Sequence, residues 1–299
     1  MDVVLITGAS TGFGRVTAER LARRGFQVFA TMRDVAGRNA TARAELEAIA
    51  QSERIGLDVV ELDVADDGSV DRGVAEILER AGRVDVVINN AGFGNLGVSE
   101  AYTVEQFRQL YETNVFGAVR VNRTVLPQMR QRGSGLLIHI SSVAGRSTLP
   151  YMSLYCSSKF ALESIADAYR FELAPFGIDS VVVEPGAFMT PIFQKPFSAA
   201  DETCAGEYGT QNFSYRIHEH FQEVLSAPDA RPASDVAEAI LGLVETPAGQ
   251  RPFRTVVGRD LEFLAQYNEG AEMVRQGTAQ EFNVTELLTL RPHAGTAAE

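Results

Sequence analysis

Residues 3–14 read VVLITGASTGFG, and this stretch decides the fold. Four apolar residues and Thr7, largely β-branched, form a short strand, a glycine-rich turn follows, and RVTAERLARR continues as a helical segment. Strand, turn and helix in immediate succession are the opening of a dinucleotide-binding unit. Gly8 can turn the chain off the strand, Gly12 lets backbone approach a pyrophosphate, and Gly14 permits tight helix–strand packing. The helix N-terminus supplies oriented N–H groups for phosphate. The spacing is G-x-x-x-G-x-G rather than the commoner G-x-G-x-x-G.

Outward from this unit, strand and helix signals alternate. Strand patterns fall at 3–7, 26–31, 58–63, 84–89, 135–141, 178–184 and 253–257, with helical stretches near 13–24, 40–52, 68–81, 103–131, 153–176 and 233–245. Runs such as VDVVI and GLLIHI are apolar but for one residue each, as suits strands covered on both faces. The pattern predicts an α/β fold: a doubly wound Rossmann fold with a mostly parallel, seven-stranded sheet and helices on both faces. Residues 1–258 are expected to form one domain, with 259–299 as a helical extension and tail. The segments TGAS, Asp63, NNAG, Ser142 and PGAFMT each follow a strand, where such sheets bind ligands.

Tyr155 and Lys159, in YCSSK, stand one helical turn apart and therefore share a face. Alone, such a pair is an ordinary surface feature. A nearby cation favours phenolate, bringing a tyrosine from its usual value near ~10 toward the range useful for acid–base work. Ser142, thirteen residues earlier, adds a hydroxyl.

Taken together, TGASTGFG, NNAG at 89–92, Asn114, Ser142 with Tyr155 and Lys159, and PGAFMT at 185–190 resemble the short-chain dehydrogenase/reductase family in its single-domain branch. ATMRD, VDVVINNAGFG and YCSSKFALE resemble the sub-branch of 17β-hydroxysteroid and retinol dehydrogenases. The resemblance implies a hydride transfer between nicotinamide and a carbonyl or alcohol, with Tyr155 as the acid–base. It implies that Lys159 holds the ribose and lowers the tyrosine's pKa, that Ser142 bonds the substrate oxygen, and that Asn114 holds a water linking Lys159 to solvent. The glycine-rich turn, with Ser10, Thr11 and Phe13 beside its glycines, would cradle the cofactor. Asp63 with Val64 would meet the adenine, Asn90, Ala91 and Gly92 would line the cofactor's path, and Pro185, Gly186, Phe188 and Thr190 would orient the nicotinamide. A homodimer or homotetramer built on the two long helices is also implied.

The end of the second strand, FQVFATMRD, bears on the cofactor. NAD enzymes place a carboxylate there for the ribose hydroxyl, whereas NADP enzymes supply a cation for the 2′-phosphate. The family resemblance implies that the acid would fall at Met32, which cannot serve, and Arg33 follows, so charge favours NADP over NAD; Thr11 could add a hydroxyl to that phosphate. The alternative makes Arg33 a solvated loop charge and Asp34 the ribose ligand.

Hydrophobic residues at 45% and charged residues at 22% suit a globular domain with a sizeable core. Basic residues number 27 against 39 acidic, a net charge of −12 that argues against nucleic acid as a partner. No apolar run approaches the ~18 residues of a membrane span, and no signal peptide precedes the first strand, so cytoplasmic residence is expected. Cys156 and Cys204 form neither a disulfide framework nor a metal motif, and Cys156 reads as packing. His218 and His220 lack partners at ligand spacing, so no metal site is expected. Between 191 and 228 a long connection carries Phe193, Phe197, Tyr208, Phe213, Tyr215 and Phe221, the pattern of a lid over a bulky apolar substrate, with Phe93, Leu96, Leu149 and Met152 as the opposite wall. A non-catalytic dinucleotide sensor is the second function class, which the complete Ser142, Tyr155 and Lys159 set disfavours.

Overall fold

Alternate side chains of each strand point to opposite faces, so an apolar run builds two cores at once. In the computed structural model, which describes residues 2–188, 190, 192, 197–227 and 230–291, both cores are present. Ile6, Ile88 and Ile138 enter one core with Leu21, Leu46 and Ile240; their neighbours Leu5, Val87 and Leu137 enter the other with Ile77, Val125 and Met129. The strands are β1 (Val3–Thr7), β2 (Gln27–Met32), β3 (Leu57–Glu61), β4 (Val86–Asn89), β5 (Gly135–Ile140), β6 (Ile178–Pro185) and β7 (Arg254–Val257). They form a seven-stranded sheet of order β3-β2-β1-β4-β5-β6-β7, with every pairing parallel. The order reverses between β1 and β4, the point at which such sheets open a crevice at their carboxyl ends.

Helices α1 (Gly12–Arg24), α2 (Ala40–Glu53), α3 (Asp67–Ala81), α4 (Val104–Tyr111), α5 (Gly117–Arg132) and α6 (Ser153–Glu172) connect the strands up to β6. Local signals set their ends. Gly25 adopts φ 102° after α1 and Gly133 adopts φ 69° after α5, while Thr103 and Gln106 close a reciprocal cap on α4. The helical pattern at 103–131 is not one helix. A π-helical turn, Glu112–Phe116, separates α4 from α5 and contains Asn114. Residues 153–176 likewise divide into α6 and a short 3₁₀ turn at 174–176.

After β6 come α7 (Glu202–Glu207), α8 (Ser214–Ser226) and α9 (Ser234–Glu245), and β7 is followed by α10 (Glu262–Glu281). Met189, Phe193 and residues 292–299 of the expected tail lie outside the described residues. No described helix is long and apolar enough to cross a membrane.

Candidate active site

The glycine turn works by excluding side chains. At Gly8, with φ 67°, a Cβ would lie 2.8 Å from the Ala91 Cα, and at Gly14 it would collide with Asn90 Nδ2. These contacts bring the β1 and β4 turns together. Thr7 Oγ1 accepts from the Asn90 and Ala91 amides at 3.0 Å each, and Asn90 Nδ2 donates to the Thr7 carbonyl at 2.8 Å. Sequence reasoning missed Thr7, which reads there as one more strand residue.

Between these turns and α6 lies a cavity of about 930 Å³. Its wall takes in Gly8, Ser10, Thr11, Gly12 and Phe13 from the first turn, Arg33 after β2, Asp63 and Val64 after β3, and Asn90, Ala91 and Gly92 after β4. At the far end stand Tyr155, Lys159 and Thr190. A smaller cavity of about 60 Å³ adjoins this end, lined by Ser142, Pro185, Gly186 and Phe188 together with Leu149, Met152, Ile192, Phe221 and Leu225. Tyr155 and Thr190 border both cavities. Among the described residues, the smaller cavity has no charged side chain in its lining. Gly14 and Asn114 line neither cavity; Gly14 serves packing, as above.

Asn114 is buried in the π-helical turn. Its Oδ1 accepts from the Phe93 amide at 3.0 Å, and its Nδ2 donates to the Phe93 carbonyl at 2.9 Å and to Ser158 Oγ at 3.1 Å. Asn114 thus clips the segment after β4 to α6, beside Gly92. Lys159 does not bond Asn114; its Nζ donates to the Ile140 carbonyl at 2.7 Å. The Tyr155 amide, at the start of α6, donates to Asn95 Oδ1 at 2.9 Å. Asn95 is wholly buried, and its polar side chain in the loop AGFGNLG was the available signal for a role that sequence reasoning overlooked.

Burial dominates the electrostatics of the reactive pair. Burial pushes the Tyr155 phenol up to about 12, with a hydrogen bond from Ser142 acting the other way. The lysine Nζ sits 5.7 Å from the centre of the tyrosine ring and is itself pushed down to about 8, first by burial, with Glu163 opposing. At this site desolvation exceeds the pairwise attraction.

At the other end of the large cavity, Arg33 is joined by Arg38, which the sequence reading did not single out. Arg33 Nη1 lies 3.9 Å from Asp63 Oδ2. Asp34 is not on the cavity wall; its carboxylate accepts from the Arg38 amide at 2.9 Å. Of the aromatics after β6, Phe197 packs edge-on against Phe93 at 5.3 Å, and Phe221 joins Leu96, Leu149 and Met152. Tyr208, Phe213 and Tyr215 are exposed. Cys156 is buried against the Leu149 backbone, whereas Cys204 lies partly exposed on α7. His218 and His220 sit on α8 rather than a strand. Among the described residues no group of three or more His, Cys, Asp or Glu could hold a metal.

The residues therefore fit a nicotinamide dinucleotide. The large cavity has the right scale, α1 begins at it without an acidic residue in its first turn, and cations stand at one end with a phenol and an ammonium at the other. Fold and site together define an α/β protein of the dinucleotide-binding oxidoreductase class. The chain belongs to the short-chain dehydrogenase family, whose model matches residues 2–201. It is 37% identical to the uncharacterized oxidoreductase YusZ of Bacillus subtilis over 71% of this chain and 76% of that one. It is 36% identical to human 17-beta-hydroxysteroid dehydrogenase type 1, covering 82% and 74% of the two chains. A short-chain dehydrogenase structure from Streptomyces avermitilis superposes with a TM-score of 0.75 at 32% identity, covering 95% of this chain and all of that one. Two further structures bear on the cofactor. Actinorhodin polyketide ketoreductase, 27% identical with a TM-score of 0.70 over 85% of this chain and 94% of its own, was solved with NADPH. A 3-ketoacyl-(acyl-carrier-protein) reductase from Brucella melitensis, 25% identical with a TM-score of 0.70 over 86% and 96%, was solved with NADH.

Proposed function

We propose that this protein is an NADP(H)-dependent oxidoreductase acting on a ketone or secondary alcohol, or an aldehyde or primary alcohol, of a bulky apolar substrate. The observation that carries the reading is the position of Tyr155, whose side chain borders both the dinucleotide-sized cavity and the uncharged pocket beside it. When bound, the dinucleotide supplies or accepts the hydride. The Tyr155 hydroxyl gives its proton to the carbonyl oxygen in reduction and takes one from the alcohol in reverse. A phenol held up near 12 keeps its proton at neutral pH, which suits the donor role. Ser142, bonded to Tyr155, bonds the same substrate oxygen and stabilises the charge developing there. Lys159 holds the ribose hydroxyls and remains largely cationic near neutral pH. Asn114 orders the backbone beside Lys159 and holds a water on the proton path.

NADP is favoured over NAD by Arg33 and Arg38 on the wall and by the engagement of Asp34 elsewhere. In this reading residues 1–258 form the catalytic domain with 191–228 as its lid, and 259–299 form an extension. The same reading includes a homodimer or homotetramer, to which α5 and α6 and their flanks offer exposed Phe116, Phe160 and Phe176.

Two measurements test this. NADPH oxidation should be seen with a panel of bulky ketones, and Tyr155→Phe should lower kcat by about 10²–10⁴-fold while cofactor binding persists. Undiminished turnover in that variant would refute the mechanism, whereas cofactor binding without turnover on any carbonyl would point to a sensor. In fluorescence titrations Arg33→Ala should weaken NADPH binding by roughly tenfold and NADH binding little. An unchanged preference would remove Arg33 from the argument.

A further inference from the structure

One helical turn beyond Lys159, α6 carries a carboxylate with almost no access to water: Glu163 is 2% exposed. A buried charge is tolerated only when other groups replace its hydration. Glu163 Oε1 accepts from Ser141 Oγ at 2.7 Å, and Oε2 lies 3.1 Å from Arg254 Nε and 3.7 Å from Arg146 Nε. Ser141 immediately precedes Ser142, and Arg146 immediately follows the turn Val143–Gly145 that Ser142 caps. A Cβ at Gly145 would collide with both Glu163 Oε1 and Ser141 Oγ, so this turn is packed directly on the carboxylate.

A second carboxylate faces the same cations. Glu184 of β6 is fully buried, 3.6 Å from Arg254 Nε and 3.8 Å from Arg146 Nε, and accepts from Asn268 Nδ2 of α10 at 2.5 Å. Asp167 of α6 lies 3.6 Å from Arg254 Nη2, with Arg275 and Glu272 of α10 acting on it from farther out. Burial, and then the charge on Glu163, push Glu184 up to about 8. Burial pushes Glu163 up as well, with Ser141, Arg254 and Arg146 acting the other way, and of the two carboxylates it is the one that accepts from both a hydroxyl and a guanidinium at hydrogen-bond distance.

We propose that Glu163 is a positioning residue for the reactive set: its carboxylate keeps Lys159 cationic and ties the Ser142 turn to α6. This rests on the reading of Tyr155, Lys159 and Ser142 as the reacting groups. Side chains four apart on a helix are neighbours, and the charge on Glu163 opposes the desolvation that burial imposes on the lysine.

The composition makes the test direct, because Lys159 and Lys195 are the two lysines in the chain. In a Lys195→Arg background of the full chain, ¹³C-labelled lysine gives one Cε resonance whose pH titration reads Lys159 alone. Glu163→Gln is expected to move that midpoint to lower pH by at least roughly half a pH unit, and Glu184→Gln to leave it near the starting value. An unmoved midpoint in Glu163→Gln, or an equal shift in Glu184→Gln, overturns the proposal. If Glu163→Gln does not fold, the charge-balanced pair Glu163→Gln with Arg254→Gln takes its place. The same downward direction is expected, and an unmoved midpoint again overturns the proposal. In turnover assays the high-pH limb of kcat should shift down in parallel, with KM for the carbonyl within about twofold. A starting protein that reduces no carbonyl would defeat the oxidoreductase reading, while the lysine titration would still decide the role of Glu163.

Discussion

Lys159 holds its charge at 4% exposure, with its Nζ bonded to the Ile140 carbonyl, and burial brings it to about 8. Between that value and the ordinary lysine value near ~10.4, the unfolded chain binds more protons than the folded one. Stability contributed at this residue therefore rises with pH through that window and is lowest below it. Lys159→Met is expected to abolish turnover yet stabilise the fold at pH 7 by on the order of 2 kcal/mol, the relief of desolvation outweighing the lost bond to Ile140. Thermal melts at pH 7 and pH 10 check this, since the variant should lack the relative gain at high pH. Identical pH slopes in the two proteins would count against it. At this scale the residue types of the site were legible in the chain, but their protonation was not. Tyr155 and Lys159 can be paired by spacing, whereas the burial that dominates both depends on what the fold stacks over them.

Helix α6 shows how an element is aimed. Its first turn leaves backbone donors without intrahelical acceptors, and the Tyr155 amide finds one in Asn95, sixty residues earlier. Asn95→Ala is expected to cost about 1–2 kcal/mol and to lower kcat more than it weakens cofactor binding, because the start of α6 loses its tether. Chemical denaturation with parallel kinetics measures both, and a stable variant of full activity would remove Asn95 from the site. The strands and most helix limits were readable from apolar runs and glycine caps. The break between α4 and α5 was not, because Glu112–Phe116 contains no proline or glycine to announce it. It is a π-helical turn in which Asn114 meets both the N–H and the carbonyl of Phe93, a long-range partner that local pattern does not contain.

Across the whole molecule, the apolar surface left outside the two cores bears on assembly. Phe160 on α6 is 38% exposed, with Phe116 and Phe176 also exposed at the flanks of α5 and α6. If these helices form the interface, light scattering after size exclusion should give a dimer or tetramer, and Phe160→Glu should reduce it to monomer with the fold retained. A monomeric starting protein would end that reading. The seven-stranded parallel sheet and the placing of TGAS, Asp63, NNAG and Ser142 directly after its strands followed from the sequence alone, because periodicity and glycine spacing are local properties of a chain, whereas the order of the strands did not. Tertiary structure alone decided that Asp34 turns from the cavity while Arg38 joins it, that Asn95 and Thr7 hold the site, and that Glu163 and Glu184 share two arginines out of water. Each of these depends on contacts between residues far apart in sequence and on desolvation, which exist only once the sheet and its helices have closed around them.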